Sequence, residues 1–286
     1  MPLPVVTAVR VDVAQLPEPP EGQDRVHTAP NAVIVLDGAT AFGPGAVDAG
    51  TYADELGGRI AAYLANRPSA ELAGVLAAAI ADTRDHLGLS PGDAPSSTVS
   101  IVRITQAYID VLVLGDSPVI VGHIDKQPEV IVDDRVSRLF NPHRAEYCRR
   151  LADGHGYGEP HRAMLREIQA VQAAHRNRAE GYFIAEADPN AADHAITRRY
   201  TRQRVGWAIL ATDGAADLLQ HLGLANWPAI AADPTQASRF APPRLGLGGV
   251  RRPGRPPAPP GQAPRRQDPG RYPRAIDLPS VCPPCA

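Results

Sequence analysis

Cysteine is scarce: three residues of 286, at 148, 282 and 285. That is too few for a disulfide-built scaffold and fits a reducing compartment. Lysine is scarcer, with Lys126 alone against 28 arginines. Together with abundant Ala, Gly and Pro, this bias fits a GC-rich coding sequence of bacterial type. Charge of one sign is not in excess, since 29 basic side chains face 31 acidic ones. A dedicated nucleic-acid binder should be clearly basic, so that class is disfavoured. No apolar run approaches the roughly 18 residues of a membrane helix. No basic region followed by an apolar stretch opens the chain, so the expectation is a cytoplasmic protein without a membrane partner.

The averages hide a division. Residues 241–286 hold 13 of the 30 prolines and eight arginines against two aspartates, a net +6, which leaves −8 on residues 1–240. A Pro/Arg/Gly segment with so few apolar residues cannot offset its ordering entropy. The expected organisation is a folded domain over 1–240 and a disordered tail over 241–286. The chain is long enough for a sizeable core.

Within the folded part, Val5–Val13 alternates and reads as a strand, and 15–23 as a Pro- and Glu-rich loop. Ala32–Leu36 is a buried strand meeting the Asp37-Gly38 turn. Tyr52, Leu56, Ile60 and Leu64 mark one face of a helix over 48–64. Ser69 is placed to cap a second helix whose face is Leu72, Val75, Leu76, Ala79 and Ile80, with Glu71 in its first turn. Ser97–Ile104 and Ala107–Leu114, joined by Thr105-Gln106, predict a hairpin. Strands follow at Val119–Ile124 and Glu129–Val132, a helix at Arg162–Arg176, a strand at Val205–Ala211 and a helix at Ala215–Leu222. Hairpin-linked strands with paired long helices predict a mainly antiparallel α+β domain.

Four aspartates share one setting, an apolar strand meeting a polar turn: Asp24, Asp37, Asp116 and Asp213. For any one of them, turn chemistry is the plainer reading, because Asp accepts backbone hydrogen bonds and Gly supplies positive φ. Together, carboxylates without His or Cys make a hard oxygen site, which selects Mg²⁺ or Mn²⁺ over Zn²⁺. A pair of such ions can activate water and clamp a phosphoryl group.

The order of the motifs over roughly residues 20–220 resembles that of the metal-dependent type-2C (PPM-type) protein serine/threonine phosphatases. Gln23-Asp24-Arg25, Val35-Leu36-Asp37-Gly38, Ser96-Ser97-Thr98-Val99, Leu114-Gly115-Asp116-Ser117 and Ala211-Thr212-Asp213-Gly214 with Asp217 look like the family's successive motifs. Gly181–Tyr200 sits where a variable strand segment precedes the last core strand. The resemblance implies a four-layer α/β/β/α sandwich of two antiparallel sheets flanked by helices. It implies a dinuclear Mn²⁺ or Mg²⁺ centre hydrolysing phosphoserine or phosphothreonine by a metal-bound hydroxide. Asp37 would bridge the ions, Asp24 and the Gly38 carbonyl would complete ligation, and Asp213 would hold one ion. Asp116, with Asp213 and Asp217, would serve a weaker third ion. The implied partner is a phosphoprotein.

The departures bear on activity. Ala39 stands where many members carry a His thought to act as general acid. No Arg precedes the first acidic motif to grip phosphate; Arg25 is the substitute, against the plainer reading of a surface charge. Pro118 replaces an Arg after Asp116-Ser117. The family's closing Asp-Asp or Asp-Asn strand has no counterpart in 241–286, where only Asp268 and Asp277 occur. A frameshift near residue 240 would account for this. Codons exist for Pro264–Arg271 that, read one base later, spell Gln-Asp-Asp-Lys-Thr-Leu-Ala, close to the missing motif. The alternative function is a non-catalytic PPM-like module binding a phosphoprotein or regulatory partner, which the missing His, Arg and Asp favour.

Other features read as incidental. Cys282 and Cys285 have CxxC spacing but lack a second ligand pair for zinc. His143, His155 and His161, with Arg144, Arg149 and Arg150, form either a flap beside the site or a solvated loop, the latter being the commoner case. The arginine-rich tail has no amphipathic periodicity for a lipid surface.

Overall fold

The structure, a computed structural model, describes residues 9–15, 22–39, 47–139, 167 and 170–233. The strands are β1 (Arg25–Ala29), β2 (Ala32–Leu36), β3 (Gly38–Ala39), β4 (Ser96–Ser97), β5 (Val99–Ile104), β6 (Tyr108–Leu114), β7 (Val119–His123), β8 (Glu129–Ile131), β9 (Ile196–Thr201) and β10 (Val205–Leu210). The labelled helices are α1 (Ala49–Asn66), α2 (Leu72–Leu87), α3 (Asp213–His221) and α4 (Trp227–Ala232). Residues 170–175 are also helical.

One sheet runs β1-β2-β5-β6-β9, a second β10-β7-β8, and β3-β4 forms a short ribbon. All pairings are antiparallel. β6 shows why the layers stack. It is buried along nearly its whole length, and a strand's side chains alternate between its two faces. Leu112 and Leu114 join Ile34, Leu36, Tyr52, Leu56, Ile60 and Ile80 in a core between the five-stranded sheet and the α1–α2 pair. Ile109, Val111 and Val113 join Val119, Val121 and Ile131 in a second core between the two sheets. Each fully buried Leu, Ile or Val contributes roughly 1.5–3 kcal/mol. The expected α+β arrangement, antiparallel sheets flanked by helices, is present, with α4 packed beside β10.

Several local expectations need correcting. Residues 9–13 have no regular secondary structure and pair with no strand among the described residues. Val9, Val11 and Val13 are exposed, so the apolar alternation there has no sheet to cover. The first strand is instead the polar Arg25–Ala29, held by pairing with β2 from Arg25↔Leu36 to Ala29↔Ala32. Glu71 caps α2, its carboxylate accepting from Ala73 N at 3.0 Å and Gly74 N at 2.7 Å, in place of Ser69. The β5–β6 connection spans 105–107, closed by Thr105 N donating to Tyr108 O at 2.8 Å. The expected strand from Ser97 breaks at Thr98, between β4 and β5. The histidine–arginine stretch 143–161, most of the expected helix 162–176, and the tail with Cys282 and Cys285 lie outside the described residues.

Candidate functional site

Sheet register gathers the strand-end aspartates. Because Arg25 pairs with Leu36, Asp24 before β1 and Asp37 after β2 emerge at the same end of that pair. Leu210 pairs with Val119, and Ala211 N donates to Pro118 O at 3.1 Å. The Asp213 end of β10 therefore lies beside the turn that carries Asp116. The β3–β4 ribbon, Gly38↔Ser97 and Ala39↔Ser96, flanks the same end.

Thr98, in the gap between β4 and β5, joins these pieces. Its amide donates to Asp37 O at 3.0 Å. Its Oγ1 accepts from Asp37 N at 3.2 Å and shares a 2.6 Å hydrogen bond with Ser117 Oγ. The end of β2 is thereby tied to the β6–β7 turn. Close backbone approach requires glycine twice here. A Cβ on Gly38 would sit 2.8 Å from Gln23 O and 2.9 Å from Ala49 O. Gly115 has φ +89°, and a Cβ there would meet Thr98 Cγ2 at 2.9 Å.

The Asp37 carboxyl is hydrogen-bonded to those of both Asp24 and Asp213. Burial, then the Asp213 hydrogen bond and the charges of Asp24 and Asp213, push Asp37 up to about 9. Burial also raises Asp24, partly offset by hydrogen bonds with Asp37 and Thr212. The carboxyls are paired with one another: among the described residues no three His, Cys, Asp or Glu side chains surround a common point as a ready-made cage. Even so, the donor set suits a hard divalent cation. It is all oxygen, and it gathers carboxylates whose negative charge a cation would offset.

A cavity of about 360 Å³ opens on this cluster, lined by Asp37, Asp116 and Asp213, and also by Ala39, Ser96, Thr98 and Arg176. Asp24 reaches it through its bond to Asp37. Gly38 is buried at the start of β3. Asp217 is exposed on α3 and does not line the cavity. Arg25 is not brought there either. Its Nη1 donates to Gly22 O and Asp24 O at 2.7 Å each, and its Nε lies 3.8 Å from Asp54, so its guanidinium braces the main chain. Sequence reasoning missed Arg176 and Thr212. Arg176 carries no local signal, because only chain return brings it to the cavity, and Thr212 lies in the Asp213 motif but meets Asp24 only in the fold.

No family model matches the chain, and no curated protein does. Solved structures do resemble it. The serine/threonine phosphatase Stp1 from Staphylococcus aureus is 14% identical, with 77% of this chain and 83% of that chain covered and a TM-score of 0.49. The PPM Ser-Thr phosphatase MsPP from Mycobacterium smegmatis, in complex with cacodylate, is 16% identical over 77% and 87%, with a TM-score of 0.44. The catalytic domain of the phosphatase PstP, in complex with two manganese ions, is 15% identical over 82% and 89%, also with a TM-score of 0.44. All three are serine/threonine phosphatases, one of them of PPM type, at 14–16% identity to this chain.

Proposed function

We propose that the chain is a metal-dependent phosphatase-like protein acting on phosphoserine or phosphothreonine of other proteins, with a dinuclear Mn²⁺ or Mg²⁺ site. The observation that carries this reading is the gathering of Asp24, Asp37 and Asp213 from three separate strand ends, with Asp37 between the other two and Asp37 and Asp213 lining a cavity. Asp24, Asp37 and Asp213 would hold the cations, and Asp116, in the same cavity, would serve a further, weaker one. Bound there, the cations would supply positive charge for the phosphoryl oxygens and lower the pKa of water at the site. The chain's own residues do the positioning. Thr98 fixes the Asp37 backbone, and Gly38 allows the start of β3 to pass close to Gln23 and Ala49.

A second reading, a non-catalytic module that binds phosphoproteins, is favoured by Ala39. It lines the cavity and offers no proton to a leaving group. Mn²⁺-dependent hydrolysis of p-nitrophenyl phosphate and of a phosphopeptide separates the two. Hydrolysis abolished by Asp37→Asn supports the enzyme. Phosphopeptide binding with no turnover in any divalent metal supports the module.

A further inference from the structure

Val9, Val11 and Val13 are 51%, 44% and 57% exposed. Three β-branched side chains at alternate positions are the apolar row of a strand. Between them Arg10 and Asp12 hold each other, Arg10 Nη2 donating to Asp12 Oδ1 at 2.8 Å, as residues two apart do on one face of a strand. Gln15 Nε2 donates to Asp24 O at 2.8 Å and fixes the end of the segment on the domain. Among the described residues no strand pairs with 9–13, so both its valine row and its backbone groups are open to another strand.

The order Val9-Arg10-Val11-Asp12-Val13 is self-complementary. Laid antiparallel on a second copy about a two-fold axis through Val11, Arg10 faces Asp12 of the second copy and Asp12 faces its Arg10. Val9 then faces Val13, Val11 faces Val11, and the valines of both copies share one face. Opposite charges directly across a strand pair attract, and like charges repel. Other registers lose the match. Sliding one strand by two residues sets Arg10 against Arg10 or Asp12 against Asp12. Sliding it by one sets valine against charge and turns the valine row to the wrong face. Parallel pairing in register sets like charge against like. A two-fold contact uses the same patch on both copies, and a self-complementary segment supplies such a patch.

We propose that residues 9–13 are a homodimerisation strand, pairing antiparallel with the same residues of a second copy of this chain. None of them lines the aspartate cavity, and the contact does not depend on the phosphatase-like reading. A two-stranded ribbon alone is marginal in water, so the dimer is weak, with a Kd of about 100 µM.

Analytical ultracentrifugation of the full chain, from about 1 µM to about 1 mM, should show monomer giving way to dimer. Arg10→Asp and Asp12→Arg each turn both attractive pairs into repulsive ones, and each should weaken the dimer by roughly tenfold. Val11→Lys sets two lysines directly across the axis and should weaken it as well. The double variant Arg10→Asp/Asp12→Arg restores both attractive pairs and should dimerise like the wild type. An equimolar mixture of the two single variants restores them too, and should associate at concentrations where neither variant does alone. A wild-type chain that stays monomeric at about 1 mM overturns the proposal, and is the result expected if 9–13 pairs instead with another part of its own chain. A dimer that neither charge reversal weakens places the contact elsewhere and overturns it too. So does a double variant, or a mixture, that is as monomeric as the single variants. Each of these results leaves Asp37-dependent hydrolysis, and with it the phosphatase-like reading, to stand or fall separately.

Discussion

Replacing Thr98 with Val keeps the shape of the side chain and removes the hydroxyl that ties the end of β2 to the β6–β7 turn. In the structure that hydroxyl accepts from Asp37 N at 3.2 Å and bonds Ser117 Oγ at 2.6 Å, with Ser117 fully buried. The buried Ser117 hydroxyl is therefore stranded, at about 1–3 kcal/mol, and the part-buried Asp37 amide loses its partner at about 1 kcal/mol. The added methyl regains about 0.8 kcal/mol. The net expectation is a destabilisation of about 2 kcal/mol. With a urea slope of about 2 kcal/mol per molar, the unfolding midpoint should fall by about 1 M. Equilibrium urea unfolding of the metal-free chain, followed by tryptophan fluorescence, measures this. Thr98→Ser should recover most of the loss, because it restores the hydroxyl. Since Asp37 is held through Thr98, added Mn²⁺ should raise the midpoint less in Thr98→Val than in the wild type. A Thr98→Val midpoint equal to that of the wild type would refute the role given to this hydroxyl. So would a Thr98→Ser variant as unstable as Thr98→Val.

Three further outcomes follow from other parts of the fold. Arg103, Asp110 and Arg199 face one another across β5, β6 and β9, and Asp110 accepts from Arg103 at 2.7 Å and Arg199 at 2.6 Å. Burial pushes the Asp110 carboxyl up, but the hydrogen bonds and charges of Arg199 and Arg103 outweigh it and hold it below its ordinary value. A depressed carboxyl stabilises the fold above its unfolded pKa, and that stability is lost as pH falls through the folded value. Asp110→Asn should therefore cost about 3 kcal/mol in urea at pH 7, with the gap from wild type closing below about pH 4. Gly38→Ala forces a Cβ against two backbone carbonyl oxygens and should lower the thermal midpoint as well as Mn²⁺ affinity, read by calorimetry. Ala39→His places an imidazole at the cavity and should speed hydrolysis of phenyl phosphate by about tenfold or more, through general-acid help to a poor leaving group. The effect on p-nitrophenyl phosphate should be smaller, and equal effects on both would count against a proton-donating role.

What could be read along the chain was whatever local periodicity or a short motif carries. The helix over 48–64 was legible because Tyr52, Leu56, Ile60 and Leu64 recur on one face, and all four are fully buried. The β5–β6 hairpin was legible because both strands are rich in β-branched residues and a short turn joins them. Asp37, Asp116 and Asp213 were legible because each follows an apolar strand at a turn, whereas Asp24 precedes the polar strand β1. By contrast, Val9–Val13 has the alternation of a strand and no partner, while Arg25–Ala29 lacks the alternation and pairs residue for residue with β2. A strand is completed by its neighbour's hydrogen bonds, and a single sequence does not name the neighbour.

The residues themselves determined a domain with two apolar cores and a set of oxygen ligands at strand ends, since periodicity and residue chemistry are local properties. Only the tertiary structure decided which of those ligands meet. Antiparallel register brings Asp24 to Asp37, and chain return brings Asp213 to both, while Asp217 and Arg25 stay away from the cavity. Only tertiary structure, too, set Arg176 and Ser96, 80 residues apart in the chain, around one cavity, with Arg176 Nε and Ser96 Oγ unpartnered. The reason is physical: a buried donor without an acceptor is a property of packing, and packing between distant segments is not written in the order of either segment.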